Sequence, residues 1–290
     1  MSIWRTHFSE NPMMVEITRF RRKFFGTGGS AVNGVILALT LMIYVGILAL
    51  VWYFRKDANP IYLIYLQTFL FTLLGPSILH AAIAGERERR SWDFLLVAPV
   101  SQGQIVTGKF MGAGAAILAC AVALLLPIAI GVAFYDRNST YYLPDATGTT
   151  FWSAAWNIGL AELLSVSWGF VVAAMTLFFS ARCKRGFVAL GTVLAILVAS
   201  LIVWPILLSS GGMLFEHTNN ILNFFHPFWA IGQIESANVL SRENQVWEKI
   251  YGLPQIIVYI GMTAVFLFWT ERTLRFADGE VRFIPKHKDA

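Results

Sequence analysis

The sequence predicts an all-α, polytopic membrane protein of six transmembrane helices, and three observations predict it. Of its 290 residues, 57% are hydrophobic and 13% charged, against about 25% charged in soluble domains. Six apolar runs are each long enough for a bilayer core, which takes about 20 helical residues. Lysine and arginine collect on alternate sides of those runs, as the positive-inside rule requires. The chain reads as a single domain, 1–290.

The first element precedes any span. In "NPMMVEITRFRRKFF" Asn11 can cap a helix that begins with Pro12, where proline loses no hydrogen bond. Met13, Ile17, Phe20 and Phe24 fall on one face, and Arg19, Arg22 and Lys23 occupy much of the rest. Residues 11–26 are therefore expected to lie as an amphipathic helix along the membrane surface. Its role is either a general anchor or an elbow that grips a partner. The first 30 residues contain no apolar signal-peptide core, so the first span is expected to act as its own insertion signal.

The six spans are expected at about 32–54, 61–84, 110–134, 154–180, 187–209 and 253–270, followed by a tail, 271–290. With the N-terminus in the cytoplasm, seventeen lysines and arginines fall on the cytoplasmic side and five on the outer side. That asymmetry implies a multi-pass protein of the cell's inner (plasma) membrane with both termini in the cytoplasm. The net charge of +5 then reflects topology and contact with anionic lipid, with no nucleic-acid role. The two cysteines, Cys120 in an apolar run and Cys183 in a basic loop, supply neither a disulfide framework nor a zinc site.

Two outer loops carry information. Residues 135–153 are polar and rich in turn formers. Residues 210–252 contain "ILNFFHPFWAIGQI", too short and proline-broken to span yet too apolar for open water. A re-entrant or interfacial pair of helices is expected there, broken at His226-Pro227, with Phe225, Pro227 and Trp229 as an outer gate.

The segment between the second and third spans, "GERERRSWDFLLVAPVSQGQIVTGKF", ends like a phosphate-binding loop. Such a loop needs a preceding strand, glycines, a lysine and a hydroxyl for magnesium. Here Phe110 stands in the hydroxyl's place and a membrane helix follows, so no nucleotide site is expected at Lys109. Gly103, Gly108, Gly112 and Gly114 read instead as small residues for close helix packing. Helical spacing gives the remainder a charged amphipathic turn, with Asp93 facing away from Trp92, Leu95, Leu96 and Pro99, and with Ser101 able to cap the next helix.

Here the sequence resembles a family, the permease subunits of ABC type-2 transporters. The likeness is carried by Glu86-Arg87-Glu88, Ser91, Asp93-Phe94-Leu95-Leu96, Ala98-Pro99-Val100-Ser101, Ile105 and Gly108-Lys109. Arg90 stands where a glycine is common, and Trp92 where an aliphatic residue is usual. The resemblance implies a coupling helix that docks a separate cytoplasmic ATPase through Glu86, Arg87, Glu88, Arg89, Arg90, Trp92, Asp93, Leu95, Leu96, Pro99 and Ser101. Arg182, Lys184 and Arg185 form a second expected cytoplasmic contact. ATP and magnesium would sit on the ATPase and no cofactor on this chain, which would not itself be an enzyme. A second permease copy, or a related one, would complete an export pathway.

Glu162 is the one acidic residue well inside an expected span. A carboxylate in lipid is costly and marks a functional position by default. It either lines the translocation path or locks helices together through a hydrogen bond, with Asn157 or Trp168 as partners. Gln67 is expected to bond helix to helix. An intramembrane protease using Glu162, His80, His217 and His226 lacks the paired His and acidic residues at helical spacing that such a site requires. A membrane anchor or sensor that recruits an ATPase without transport is the other reading.

Overall fold

The computed structural model describes residues 30–53, 59–89, 92, 100–134, 151–203, 205–206, 225–240 and 252–281. Side chains at 30–40, 134, 151–154, 235–240 and 275–281 are outside the description. So are the expected entry helix at 11–26, nearly all of the loop 135–153 and the tail beyond Val281. The described elements are α1 (Ser30–Tyr53), α2 (Ile61–Leu79), α3 (Ala84–Glu88), α4 (Gln102–Phe134), α5 (Phe151–Arg182), α6 (Gly186–Val198), α7 (Pro227–Leu240) and α8 (Leu253–Val281). No strand occurs among the described residues.

Among the described residues, five stretches are long and apolar enough to cross a bilayer: Ile61–Glu88, Gln102–Ala133, Ala155–Arg182, Gly186–Val203 and Leu253–Leu274. The first expected span is helical from Ser30 to Tyr53. Its described side chains are apolar and mostly exposed, Leu41, Met42, Ile43, Val45 and Leu50 among them. α1 packs against α4 at the edge of the bundle.

α5 is the central helix, and α2, α4, α6, α7 and α8 all pack on it. Its composition allows this. Small residues at Ala161, Ser165, Gly169, Ala173 and Ala174 alternate with Leu164, Trp168, Val172 and Leu177, and all are buried. α2 crosses it closely: a Cβ on Gly75 would lie 3.1 Å from the Ala173 amide nitrogen, and one on Gly169 would lie 3.2 Å from Phe71 Cβ. Small residues at a crossing let dispersion contacts form where lipid tails leave no hydrophobic drive between helices.

Two apolar clusters divide the bundle along its length. At the end bearing α3, Phe71, Leu79, Ile83, Trp92, Ile105, Ile117, Leu177 and Leu274 pack together. Toward the opposite end, Ile64, Leu124, Leu164, Trp168, Ile231, Ile234 and Tyr259 form the second. This far end also holds the starts of α2, α5 and α8 and the whole of α7.

Several boundaries shift from their expected places. α2 stops at Leu79 rather than 84, and a turn at 80–83 leads into α3. There the Ile83 and Ala84 amides are taken by the Ser180 hydroxyl of α5, at 3.0 and 3.2 Å. α4 begins at Gln102, eight residues before the expected span, because Ser101 and Gln104 build a capping box. The Gln104 amide donates to Ser101 Oγ, and the Ser101 amide to Gln104 Oε1. α6 passes into a π-helical turn at Ala199–Val203. α8 continues as helix to Val281, beyond the expected end at 270. α7 runs 14 residues from Pro227, with His226 outside it, so a helix begins at the expected proline; the other helix of the expected pair falls on residues 207–224, outside the described residues.

Candidate functional site

The charged wedge is held to the bundle by both α4 and α5. Lys109, on the first turns of α4, reaches Glu86 Oε1 at 2.7 Å, and its side chain is only 5% exposed. Arg87 donates from Nη1 to the Ala181 carbonyl of α5. The Arg87 guanidinium also lies 5.3 Å from the centre of the Trp92 ring, a cation–π contact. Trp92 itself is buried among the apolar residues of this end. Glu88 and Arg89 are exposed. Ser101 serves as a helix cap. Arg90, Asp93, Leu95, Leu96 and Pro99 lie outside the described residues.

The basic link between α5 and α6 sits on the same end. Arg182, Lys184 and Arg185 are exposed. A Cβ on Gly186 would come within 3.0 Å of Ala81 Cβ, so the link abuts the turn that precedes the wedge. The Arg182 guanidinium lies 5.7 Å from the centre of the Phe178 ring, a cation–π contact. Sequence reasoning missed Ser180, the buried hydroxyl between link and wedge. A lone serine near a helix end carries no signal of its own.

Midway along the bundle a polar seam joins α2 to α5. Gln67 Nε2 donates to Glu162 Oε1 at 2.7 Å and makes a long, 3.5 Å contact with Ser165 Oγ. Ser165 lies 2.9 Å from Thr68 Oγ1, whose own proton goes back to the Ile64 carbonyl. One turn on, Trp168 Nε1 donates to Thr72 Oγ1 at 2.9 Å. Glu162 Oε2 and Gln67 Oε1 are buried and accept no hydrogen bond. The acceptor-rich pair thus keeps unused capacity for a donor. Glu162 bonds to Gln67, not to the expected Asn157 or Trp168. The pattern was readable: Gln67, Thr68 and Thr72 share a face of α2 as Glu162, Ser165 and Trp168 share one of α5.

At the far end α7 lies across α2 and α5. Phe228 stacks on Tyr65 with ring centres 6.2 Å apart, and Ala230, Ile231 and Ile234 are buried. Gly252, at φ +94°, turns the chain into α8 where a Cβ would strike Ile234 Cδ1 at 2.7 Å. His226 joins α7 to the π-helical turn. Its Nδ1 accepts the Trp229 amide and caps α7, which leaves the proton on Nε2 to face the Leu201 carbonyl of the π-helical turn at 3.3 Å. Beside it Tyr259 of α8 donates to the Phe225 carbonyl at 3.0 Å. Burial pushes the His226 imidazole below its ordinary range, and the hydrogen bond to Leu201 opposes that shift. Phe225 and Trp229 are exposed, and Pro227 is buried.

Compared with known families, residues 12–278 match the model of the ABC-2 family transporter protein. The chain belongs to that family. No curated protein matches it. It is accordingly an ABC transporter permease and a multi-pass membrane protein. In this permease the loop-like "GQIVTGKF" is continuous α-helix, and Gly103 and Gly108 within it, like Gly112 and Gly114 beyond it, are buried. Lys109 within it is engaged by Glu86.

Proposed function

We propose that this permease couples ATP hydrolysis on a separate cytoplasmic ATPase to movement of a cargo out of the cell. The observation that carries the reading is the division of labour in the wedge. Glu86, Arg87 and Trp92 turn inward and fix it to α4 and α5, while Glu88 and Arg89 stay exposed for a partner. The wedge end faces the cytoplasm of the inner membrane, where Arg182, Lys184 and Arg185 flank the same docking surface. Arg90, Asp93, Leu95, Leu96 and Pro99 complete it. Closure of the ATPase on ATP moves the wedge and shifts the bundle between two states, through contacts that differ between them. Glu162 and Gln67 line the path, and Phe225, Pro227 and Trp229 border its outer mouth. A second permease, the same or related, supplies the other wall. ATP and magnesium stay on the ATPase.

Reversing both exposed charges, Glu88→Lys with Arg89→Glu, tests this. The variant is expected to lose the ATPase that co-purifies with the wild-type permease while its thermal unfolding in detergent stays unchanged. Unchanged co-purification together with unchanged stimulation of ATP hydrolysis would overturn the docking surface.

A further inference from the structure

The wedge helix α3 is a single turn of five residues. A helix start leaves amides without partners, and here the capping position is Ile83, which has no side-chain acceptor. The missing acceptor comes from 97 residues away. Ser180 Oγ of α5 receives the Ile83 amide at 3.0 Å and the Ala84 amide at 3.2 Å. Ser180 is fully buried, so water cannot substitute for it. Thr68, Thr72 and Thr176 turn their hydroxyls back onto their own helices, as such residues usually do. Ser180 instead accepts from another element. The next residue, Ala181, takes the Arg87 guanidinium, so both ends of the wedge turn are fastened to consecutive residues of α5.

We propose that Ser180 is a positioning residue: by capping the wedge from α5, it makes the wedge and α5 one rigid body. Any displacement of the wedge is then delivered to the helix on which the other spans pack. From Ser180 to Glu162 is 18 residues of the same helix, a rod of about 27 Å, so the motion reaches the Gln67–Glu162 seam directly. The turn at 80–83 between α2 and the wedge becomes the place where bending occurs. The functional consequence rests on the docking reading; the joint itself does not.

The test uses the full permease in liposomes, with Cys120→Ser and a spin label on native Cys183 beside the end of α5. A second label goes on Glu88→Cys of the wedge or, as a control, on the exposed Ser77→Cys of α2. The wild-type background is expected to give a single narrow distance for each pair. Ser180→Ala should lose the narrow wedge distance and keep the α2 distance, and Ser180→Thr, which restores an acceptor, should recover it. A wedge distance unchanged by Ser180→Ala overturns the proposal, as does broadening of both pairs, which would mean general loosening. With the ATPase bound, ATP should alter labelling at Trp229→Cys in the wild-type background but not with Ser180→Ala, while hydrolysis continues. If ATP has no such effect even without the Ser180 change, the docking reading fails, and the label distances still decide the joint.

Discussion

Lys109 Nζ and Glu86 Oε1 stand 2.7 Å apart, pinning the start of α4 to the wedge. The pair is unequal: the lysine side chain is 5% exposed and the glutamate 24%. Removing Glu86 strands a buried cation, whereas removing Lys109 leaves a glutamate whose side chain is a quarter exposed, although its Oε2 is itself buried. Breaking a fully buried pair costs about 3–5 kcal/mol. Glu86→Gln is therefore expected to cost about 2 kcal/mol, given this partial exposure, and Lys109→Met about 1 kcal/mol. The double variant should recover part of the larger loss, as coupled neighbours do. Thermal unfolding of all three in detergent measures the cycle, and equal single losses that simply add would contradict the pairing.

That pair shows where the sequence was legible and where it was not. Composition and the apolar runs exposed the helical membrane class, because spans are set by local hydropathy. Ser101 was readable as a cap because its partner, Gln104, is three residues away. Lys109 could be excluded from a phosphate loop by Phe110, but its bond to Glu86 spans a turn and a helix start that no period encodes. Ser180 meets Ile83 across 97 residues and Gln67 meets Glu162 across 95, so the polar face of α2 was readable but the partners depend on which helices become neighbours. Spans were misjudged at their ends, where capping outweighs hydropathy.

The seam makes a second prediction. Glu162→Gln keeps an acceptor for Gln67 and is expected to leave stability within about 0.5 kcal/mol of wild type. Glu162→Leu leaves the buried Gln67 amide without its partner and should cost about 1 kcal/mol. Replacing both residues by leucine should be less harmful than Glu162→Leu alone, since no polar group then remains unpaired. Unfolding in detergent reads the ordering. A double variant worse than either single change would show that the two side chains do not act as a pair.

His226 gives a pH dependence with a definite sign. Its neutral ring caps α7 through Nδ1, and burial lowers its affinity for a proton below the ordinary value of 6.5. A group more acidic when folded contributes stability that is present above its unfolded value and lost as pH falls below it. Hydrogen exchange at the Trp229 and Ala230 amides is therefore expected to quicken as pH drops below 6.5, after correction for the intrinsic rate. His226→Asn keeps a capping oxygen that does not titrate, so its protection should be flat over the same range. Parallel pH profiles for the two proteins would rule out the histidine as the source.

The proposed outer placement of α7 is tested by chemical access. Trp229 is 53% exposed, whereas Ile231, two residues on, is completely buried between α7 and its neighbours. If α7 borders the outer mouth, Trp229→Cys should react slowly with a membrane-impermeant thiol reagent added outside, because the surface is apolar and partly lipid-covered. Ile231→Cys should stay unreactive until ATP parts the mouth. The two sites share one helix, so a difference between them reports the packed face and not the depth of the helix. Glu88→Cys at the opposite end should label only from the cytoplasm. Rapid labelling of Trp229→Cys from the cytoplasmic side would reverse the orientation and remove α7 from the exit.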